Sequence, residues 1–330
     1  MLTIPLSAPA SSDYTLLFAK ARYTELLQQL ERDPVAQQDP ELMLLRARAL
    51  IQQQFREEAN TLLNELIQQF PEHSALLTQA ALNKIALANS GNIFNARKRA
   101  TDGLELLQKA ISLDPKNYLA QHALINFYQV APATAGGSKA LAAELTEQLF
   151  ALDPVQGTLA RASNAVAEGR LSDALALLDA QLVHTPDNTE LLLRKAAILT
   201  QQSAFLVAQQ TYLQLQPLLT DDISRHNVNF QLGRLAVFTE HYQAEGIQAL
   251  EAYLAFYDGS QQLRLPRAKL RLAQLYLRQL PRAKLRLAQL YLRQGDKVRA
   301  NALYQQIARM VIEEPDFIEA RAQLAAQLSQ

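Results

Sequence analysis

The stretch VQGTLARASNAVAEGRLSDALALLDAQLVHTPDN, residues 155–188, decides the fold. Ala162 and Ala165 are three residues apart, so they share one face of a first helix. Glu168-Gly169-Arg170 is a turn, because Gly adopts the left-handed conformation that ends a helix. Ala174 and Leu178 then repeat the spacing on the inner face of a second helix, and Pro186-Asp187-Asn188 closes the unit. Small residues where two helices cross let the backbones approach, and larger neighbours fill the groove.

The same punctuation recurs along the chain at Asp33-Pro34, Phe70-Pro71, Asp114-Pro115, Asp153-Pro154 and Thr185-Pro186. Each follows a segment with helical apolar spacing. Composition agrees with this reading. The chain has 330 residues, 49% of them hydrophobic and 19% charged, which is a folding composition. Gly is scarce at 10 residues, while Ala, Leu and Gln, all good helix formers, are plentiful. There is no Cys, which excludes disulfides, zinc–thiolate sites and cysteine nucleophiles. No apolar run is long enough to span a membrane. Residues 1–12 read as a flexible tail without a basic leader region. As written, the chain reads as soluble and cytoplasmic, and as periplasmic if Ala8-Pro9-Ala10 is the remnant of an export signal.

Four segments carry a family resemblance. Residues 40–73 hold Met43, Ala47, Leu50, Ala59, Leu63 and Pro71 in register. Residues 155–188 hold Ala162, Ala165, Ala174, Leu178 and Pro186. Residues 189–222 hold Leu192, Ala196, Leu199, Ala208 and Tyr212, without the closing Pro. Residues 281–314 hold Leu287, Ala288, Tyr291, Gly295, Ala300 and Tyr304, with Pro315 slightly late. This pattern resembles the tetratricopeptide repeat, a helix–turn–helix of about 34 residues, although no unit has the Trp of the family pattern. The resemblance implies an all-α, right-handed superhelical solenoid of antiparallel helix pairs with a concave groove. We expect one array over 13–330, of about seven pairs, capped by a last helix over 316–329.

Two units are irregular. Residues 74–117 are about ten residues too long and hold ANSGNIFNARKRATDG; residues 118–154 carry an extra loop, VAPATAGGS. A further pair opens near Asn227 with FQLGRLAVF. Together these stretches resemble a group of uncharacterised, often exported bacterial tetratricopeptide repeat proteins.

No catalytic, cofactor or metal motif emerges, and the reading is of a chain that is not an enzyme. None of the five histidines pairs with another at ligand spacing, and they read as surface or turn residues. No GxSxG elbow is present. Ala135-Gly136-Gly137-Ser138 reads as a turn with Ser138 capping the next helix, since no strand or phosphate-loop Lys accompanies it. Arg97-Lys98-Arg99 reads as a solvated helix face. No nucleic-acid motif appears, and the net charge is zero.

That charge is unevenly spread. Arg264 to Arg309 contains twelve Lys or Arg and one acid, Asp296, leaving the rest of the chain at minus eleven. Within this segment LPRAKLRLAQLYLRQ occurs twice without a difference, at 265–279 and 280–294. Arg267, Arg271 and Arg278 fall on a narrow helical arc, with Gln274 close to it. In the family that the chain resembles, the first helix of each pair lines the groove. The resemblance therefore puts Arg267, Gln274 and Arg278, or their twins Arg282, Gln289 and Arg293, in a partner site for a protein or peptide. Arginines there suit an acidic segment. The alternative is a structural or assembly factor of the bacterial envelope with no dedicated peptide groove. Pro281, at the junction of the copies, predicts a break or sharp kink at 279–281. The second copy is expected to take the normal first-helix place and the first to form an extra helix.

Overall fold

The computed structural model describes residues 11–90, 93–239 and 241–329, so most of the expected N-terminal tail lies outside the described residues. All regular structure in them is helical. In chain order the helices are α1 (Ser11–Ala19), α2 (Tyr23–Arg32), α3 (Pro40–Gln52), α4 (Arg56–Gln69), α5 (Ser74–Ser90) and α6 (Ile93–Leu113). They continue as α7 (Tyr118–Val130), α8 (Lys139–Leu152), α9 (Pro154–Ala167), α10 (Leu171–His184), α11 (Thr189–Gln201) and α12 (Phe205–Leu215). The last are α13 (Asp222–Thr239), α14 (Gln243–Phe256), α15 (Leu265–Arg293), α16 (Lys297–Ala308) and α17 (Pro315–Ser329). Short connections make consecutive helices antiparallel neighbours.

The connections follow local chemistry. Asp39 and Asp153 each accept two backbone N–H groups at the start of α3 and α9, and each is followed by Pro at the first helical position. Asn117, Ser138, Asn188 and Asp296 cap α7, α8, α11 and α16, each accepting one backbone N–H. Within five of the pairs the connection is three residues long, and its middle residue is left-handed: Ala21, Gln54, Gly169, Ser203 and Gly295. Gly suits that place, and at Ala21, Gln54 and Ser203 a side chain is carried there against the usual steric preference.

Packing between helices rests on small residues. Ala47 and Ala59, Ala162 and Ala174, Ala196 and Ala208, and Ala288 and Ala300 are all fully buried. Where the approach is tighter, Gly replaces Ala. A Cβ on Gly157 of α9 would lie 2.1 Å from the Phe150 Cα of α8. In the α13–α14 pair, a Cβ on Gly233 would lie 2.1 Å from Leu250 Cγ, and one on Gly246 would lie 2.4 Å from Ala236 Cβ.

The chain forms two compact units. The first comprises the residues up to Arg225 together with Phe256–Leu263. Its core begins with Tyr14, Leu26, Leu30, Met43, Leu44 and Leu63. It continues through Leu77, Leu107, Leu124, Phe127 and Leu149. The 256–263 segment returns to the first turns of this unit: Gln261 N–H donates to the Ala21 carbonyl, and Gln261 Oε1 accepts from Thr24 N–H and Gln53 Nε2. The second unit comprises His226–Ala255 and the residues from Arg264 onward. Its C-terminal core is Leu285, Ala288, Ile307, Phe317 and Leu324.

Several expectations need correction or relocation. The extra length of 74–117 lies in the helices, α5 at 17 residues and α6 at 21, with Gly103 of α6 resting against Ala81 and Ile85 of α5. Residues 91 and 92 of that stretch lie outside the described residues. His226 is not a surface histidine; it is buried in α13, with Asn229 Nδ2 at 3.4 Å from its Nδ1. The expected break at 279–281 is absent. Helix α15 runs unbroken for 29 residues with Pro281 inside it.

The reason lies in which side chains α15 buries. The repeat of 15 residues rotates the helix by four turns plus about 60°, so a continuous helix cannot present both copies in one direction. Copy one buries Ala268 and Leu275, with Leu275 over Gly246 of α14. Copy two buries Leu285 and Ala288 against the core shared with α16 and α17. The internal Pro opposes helix continuity by about 3 kcal/mol. Two separate packing faces, one on each side of Pro281, offset that. Their equivalents in the other copy are open: Leu270 is 61% exposed and Leu290 48%.

A single copy carries both faces, so deleting 280–294 is expected to leave a complete stack. Thermal unfolding followed by circular dichroism is expected to give a melting temperature equal to or above that of the full chain. A lower, broadened transition in the shortened chain contradicts this packing account.

Candidate functional site

Identical residues of the two copies meet different surroundings. Arg282 is half-buried, and both Nε and Nη2 donate to Glu314 Oε2, at 3.0 and 2.6 Å. Its twin Arg267 is exposed and has no ion pair among the described residues. Gln274 is also exposed, whereas its twin Gln289 is half-buried. The side chain of Arg278 lies outside those described; its twin Arg293 is exposed. Gln289 and Arg293, one turn apart on α15, face Gln323 and Gln327, one turn apart on α17, across a recess of about 390 Å³. Among the described side chains the two alternative sets therefore lie in different surroundings. Arg282 is committed to Glu314, and Gln289 and Arg293 belong with α17. Arg267 and Gln274 belong to the surface of copy one.

On copy one the sequence named Arg267 and left Arg271 aside, yet Arg271 organises this surface. Its guanidinium carbon lies 5.5 Å from the Phe230 ring centre and 5.8 Å from that of Phe238, both on α13. Arg264 also lies over Phe230, at 5.3 Å, and donates to Asn227 Oδ1. Cations over ring faces are held by the ring quadrupole. Burial, then the neighbouring charges of Arg234 and Arg267, pull the Arg271 pKa below its ordinary value. Its Nη1 is buried without a hydrogen-bond acceptor. Arg234 Nε donates to Gln231 Oε1. Arg264 and Arg271 thus lie over Phe230, Arg271 also reaches the half-exposed Phe238, and Arg234 and Arg267 add like charge beside Arg271. Like charges gathered this way repel one another, and an anion on the open side relieves the repulsion.

A second polar surface, which the sequence reading missed, runs over first helices in the other unit. His122 of α7, Gln156 of α9 and Glu190 of α11 are each 34 residues apart and form a hydrogen-bonded chain: His122 Nε2 to Gln156 Oε1 at 2.8 Å, and Gln156 Nε2 to Glu190 Oε2 at 2.6 Å. Beside it is a recess of about 410 Å³ lined by Asn126, Leu159, Ser163, Asn164 and Arg194 among others. Arg194 Nη2 donates to Ser163 Oγ, Nε is buried without an acceptor, and burial lowers the pKa. The 34-residue spacing of His122, Gln156 and Glu190 is the signal that identifies this surface from sequence.

Other candidates resolve into structure. Ser138 Oγ accepts from Leu141 N–H, as a helix cap. Arg99 of the Arg97-Lys98-Arg99 run pairs with Glu57 at 2.8 Å. Among the described residues no group of three or more His, Asp or Glu gathers as a metal site, and no helix is long and apolar enough to cross a membrane.

No family model matches the chain, and no curated protein matches it. Among solved structures it is similar to a thermophilic tetratricopeptide repeat protein of Thermus thermophilus, at 22% identity over 57% of this chain and 96% of that one, with a TM-score of 0.46. It is similar to a tetratricopeptide repeat protein of Parabacteroides merdae, at 11% identity over 81% of this chain and 100% of that one, with a TM-score of 0.44. A third likeness is to the TPR2AB domain of yeast Sti1 in complex with an HSP90 peptide, at 12% identity over 80% of this chain and 96% of that one, with a TM-score of 0.32. The architecture itself rests on the helix pairs described above.

The environments of the two twins predict unequal substitutions. In urea unfolding, Arg282→Ala is expected to lower stability by about 0.5–2 kcal/mol, through loss of a half-buried ion pair. Arg267→Ala is expected to stay within about 0.5 kcal/mol of the parent. Equal losses for the two contradict the assignment of Arg282 to structure and Arg267 to the free surface.

Proposed function

We propose that the chain is a non-catalytic scaffold that binds an acidic segment of a protein partner on the arginine surface of α13 and α15. The single observation that carries this reading is the gathering of like charge: Arg264 and Arg271 lie over Phe230, and Arg234 and Arg267 are close enough to oppose the charge of Arg271. Carboxylates delivered by a partner to the exposed Arg264 and Arg267 relieve that repulsion, and planar guanidinium groups match them in bidentate pairs. Phe230 and Phe238 hold the arginines by their ring faces, so less side-chain freedom is lost on binding. Arg267 and Gln274 extend this surface along copy one. The second unit, which holds the site, has a net charge of plus six, and that draws an acidic segment toward it.

The test is fluorescence anisotropy with a labelled hexaglutamate peptide, using hexalysine and a neutral peptide of equal length as comparisons. Hexaglutamate is expected to bind, more weakly as salt rises. The double substitution Arg264→Glu/Arg267→Glu, on two exposed side chains, is expected to weaken binding by at least about tenfold. Equal affinity of parent and double variant, or binding of all three peptides alike, overturns the reading.

A further inference from the structure

Copy two binds the α16–α17 pair through Arg282, Leu285, Ala288 and Leu292, and copy one carries the counterparts of the first three unused. In copy two, Arg282 holds Glu314, while Leu285 and Ala288 enter the core with Ile307, Phe317 and Leu324. The same positions of copy one are Arg267, Leu270 and Ala273, all exposed. Ala268 and Leu275, which pack copy one toward α14, lie on roughly the opposite side of the helix, so that packing does not cover the three. Because the fifteen residues are identical, the surface that recognises α16–α17 exists twice in the chain.

We propose that copy one is a second seat for α16–α17, and that the chain exchanges between two registers. The structure holds the first. In the second, α16–α17 dock on Arg267, Leu270 and Ala273 of copy one, and residues 280–294 leave the helix to become the connection. The shift along the helix is about 22 Å, from fifteen residues at about 1.5 Å each; it brings the start of α16 beside the end of copy one, so residues 280–294 need only close a loop. The contacts made by the seat are the same in both registers. The second register also ends the helix before Pro281, which frees the chain from an internal proline and lets Leu280 take the extended geometry preferred before Pro. A single copy then packs on both sides, toward α14 and toward α16–α17. In that register Glu314 occupies Arg267, so the register regulates the acidic-segment site; this consequence rests on the binding reading above, whereas the exchange itself does not.

The chain has no cysteine, so introduced thiol pairs report the register directly. Three double variants of the full chain are treated with a short bis-maleimide: Arg282→Cys/Glu314→Cys for the first register, Arg267→Cys/Glu314→Cys for the second, and Lys269→Cys/Glu314→Cys as a pair facing apart. The Arg267→Cys/Glu314→Cys pair is also made in the chain lacking 280–294, where copy one is the sole seat. The expected result is a link within one chain for both arginine positions, with the 267–314 yield several-fold above the 269–314 background, and a strong 267–314 link in the shortened chain. The proposal is overturned if 267–314 links no better than 269–314 in the full chain, if it links solely between two chains, or if it fails to link in the shortened chain. No ligand enters this experiment, so its failure leaves the hexaglutamate result standing, and the reverse.

Discussion

Close approach of neighbouring helices at small residues is the constraint on which the structure depends. Gly157 leaves no room for a methyl group against the backbone of Phe150. Gly233 and Gly246 do the same for α13 and α14, and buried Ala pairs do it elsewhere. When helices pack this closely, one pair still buries too little apolar surface to stand alone, and its neighbours supply the rest. Core residues such as Leu63, Leu107, Leu149 and Leu178 lie between helices. Caps and left-handed turns at regular intervals keep each pair in place for the next.

Once the helices are fixed, position decides chemistry more than residue type does. The duplicated fifteen-mer makes this visible. Arg282 closes a structural ion pair, while Arg267, in the same local sequence, faces solvent near three other arginines. Arg271 rests between Phe230 and Phe238, while its twin Arg286 is exposed. The proposed binding surface arises where the rings and Arg234 of α13 meet Arg264 and the cations of copy one, Arg267 and Arg271. It is therefore a property of the α13–α15 neighbourhood, which neither copy of the fifteen-mer carries by itself.

Much of the fold was legible in the sequence because its determinants are local. Ala162, Ala165, Ala174 and Leu178 are buried at the spacing expected of them, Gly169 is left-handed, and Ser138 caps α8. The left-handed residues Gln54 and Ser203 were not legible, since neither residue type favours that conformation and only the repeat geometry demands it. Pro281 misled because helix propensity is a local term, and burial on both sides of the proline outweighs it. Of the proposed site, the sequence offered only the charge density of α15, where Arg267 and Gln274 are exposed. Arg271 and Arg234 became prominent only when Phe230 and Phe238 were placed beside them, and Arg194 only when α9 and α11 were placed side by side.

The most direct test of the packing constraint is equilibrium urea unfolding of Gly157→Ala. Gly157 is helical, so Ala there improves helix propensity and, in the absence of the Phe150 contact, stabilises by about 0.5–1 kcal/mol. If close helix approach governs the stack, the added methyl group overpacks the α8–α9 crossing and stability falls by about 1–3 kcal/mol, with an unchanged denaturant slope. A variant as stable as the parent, or more so, contradicts the account.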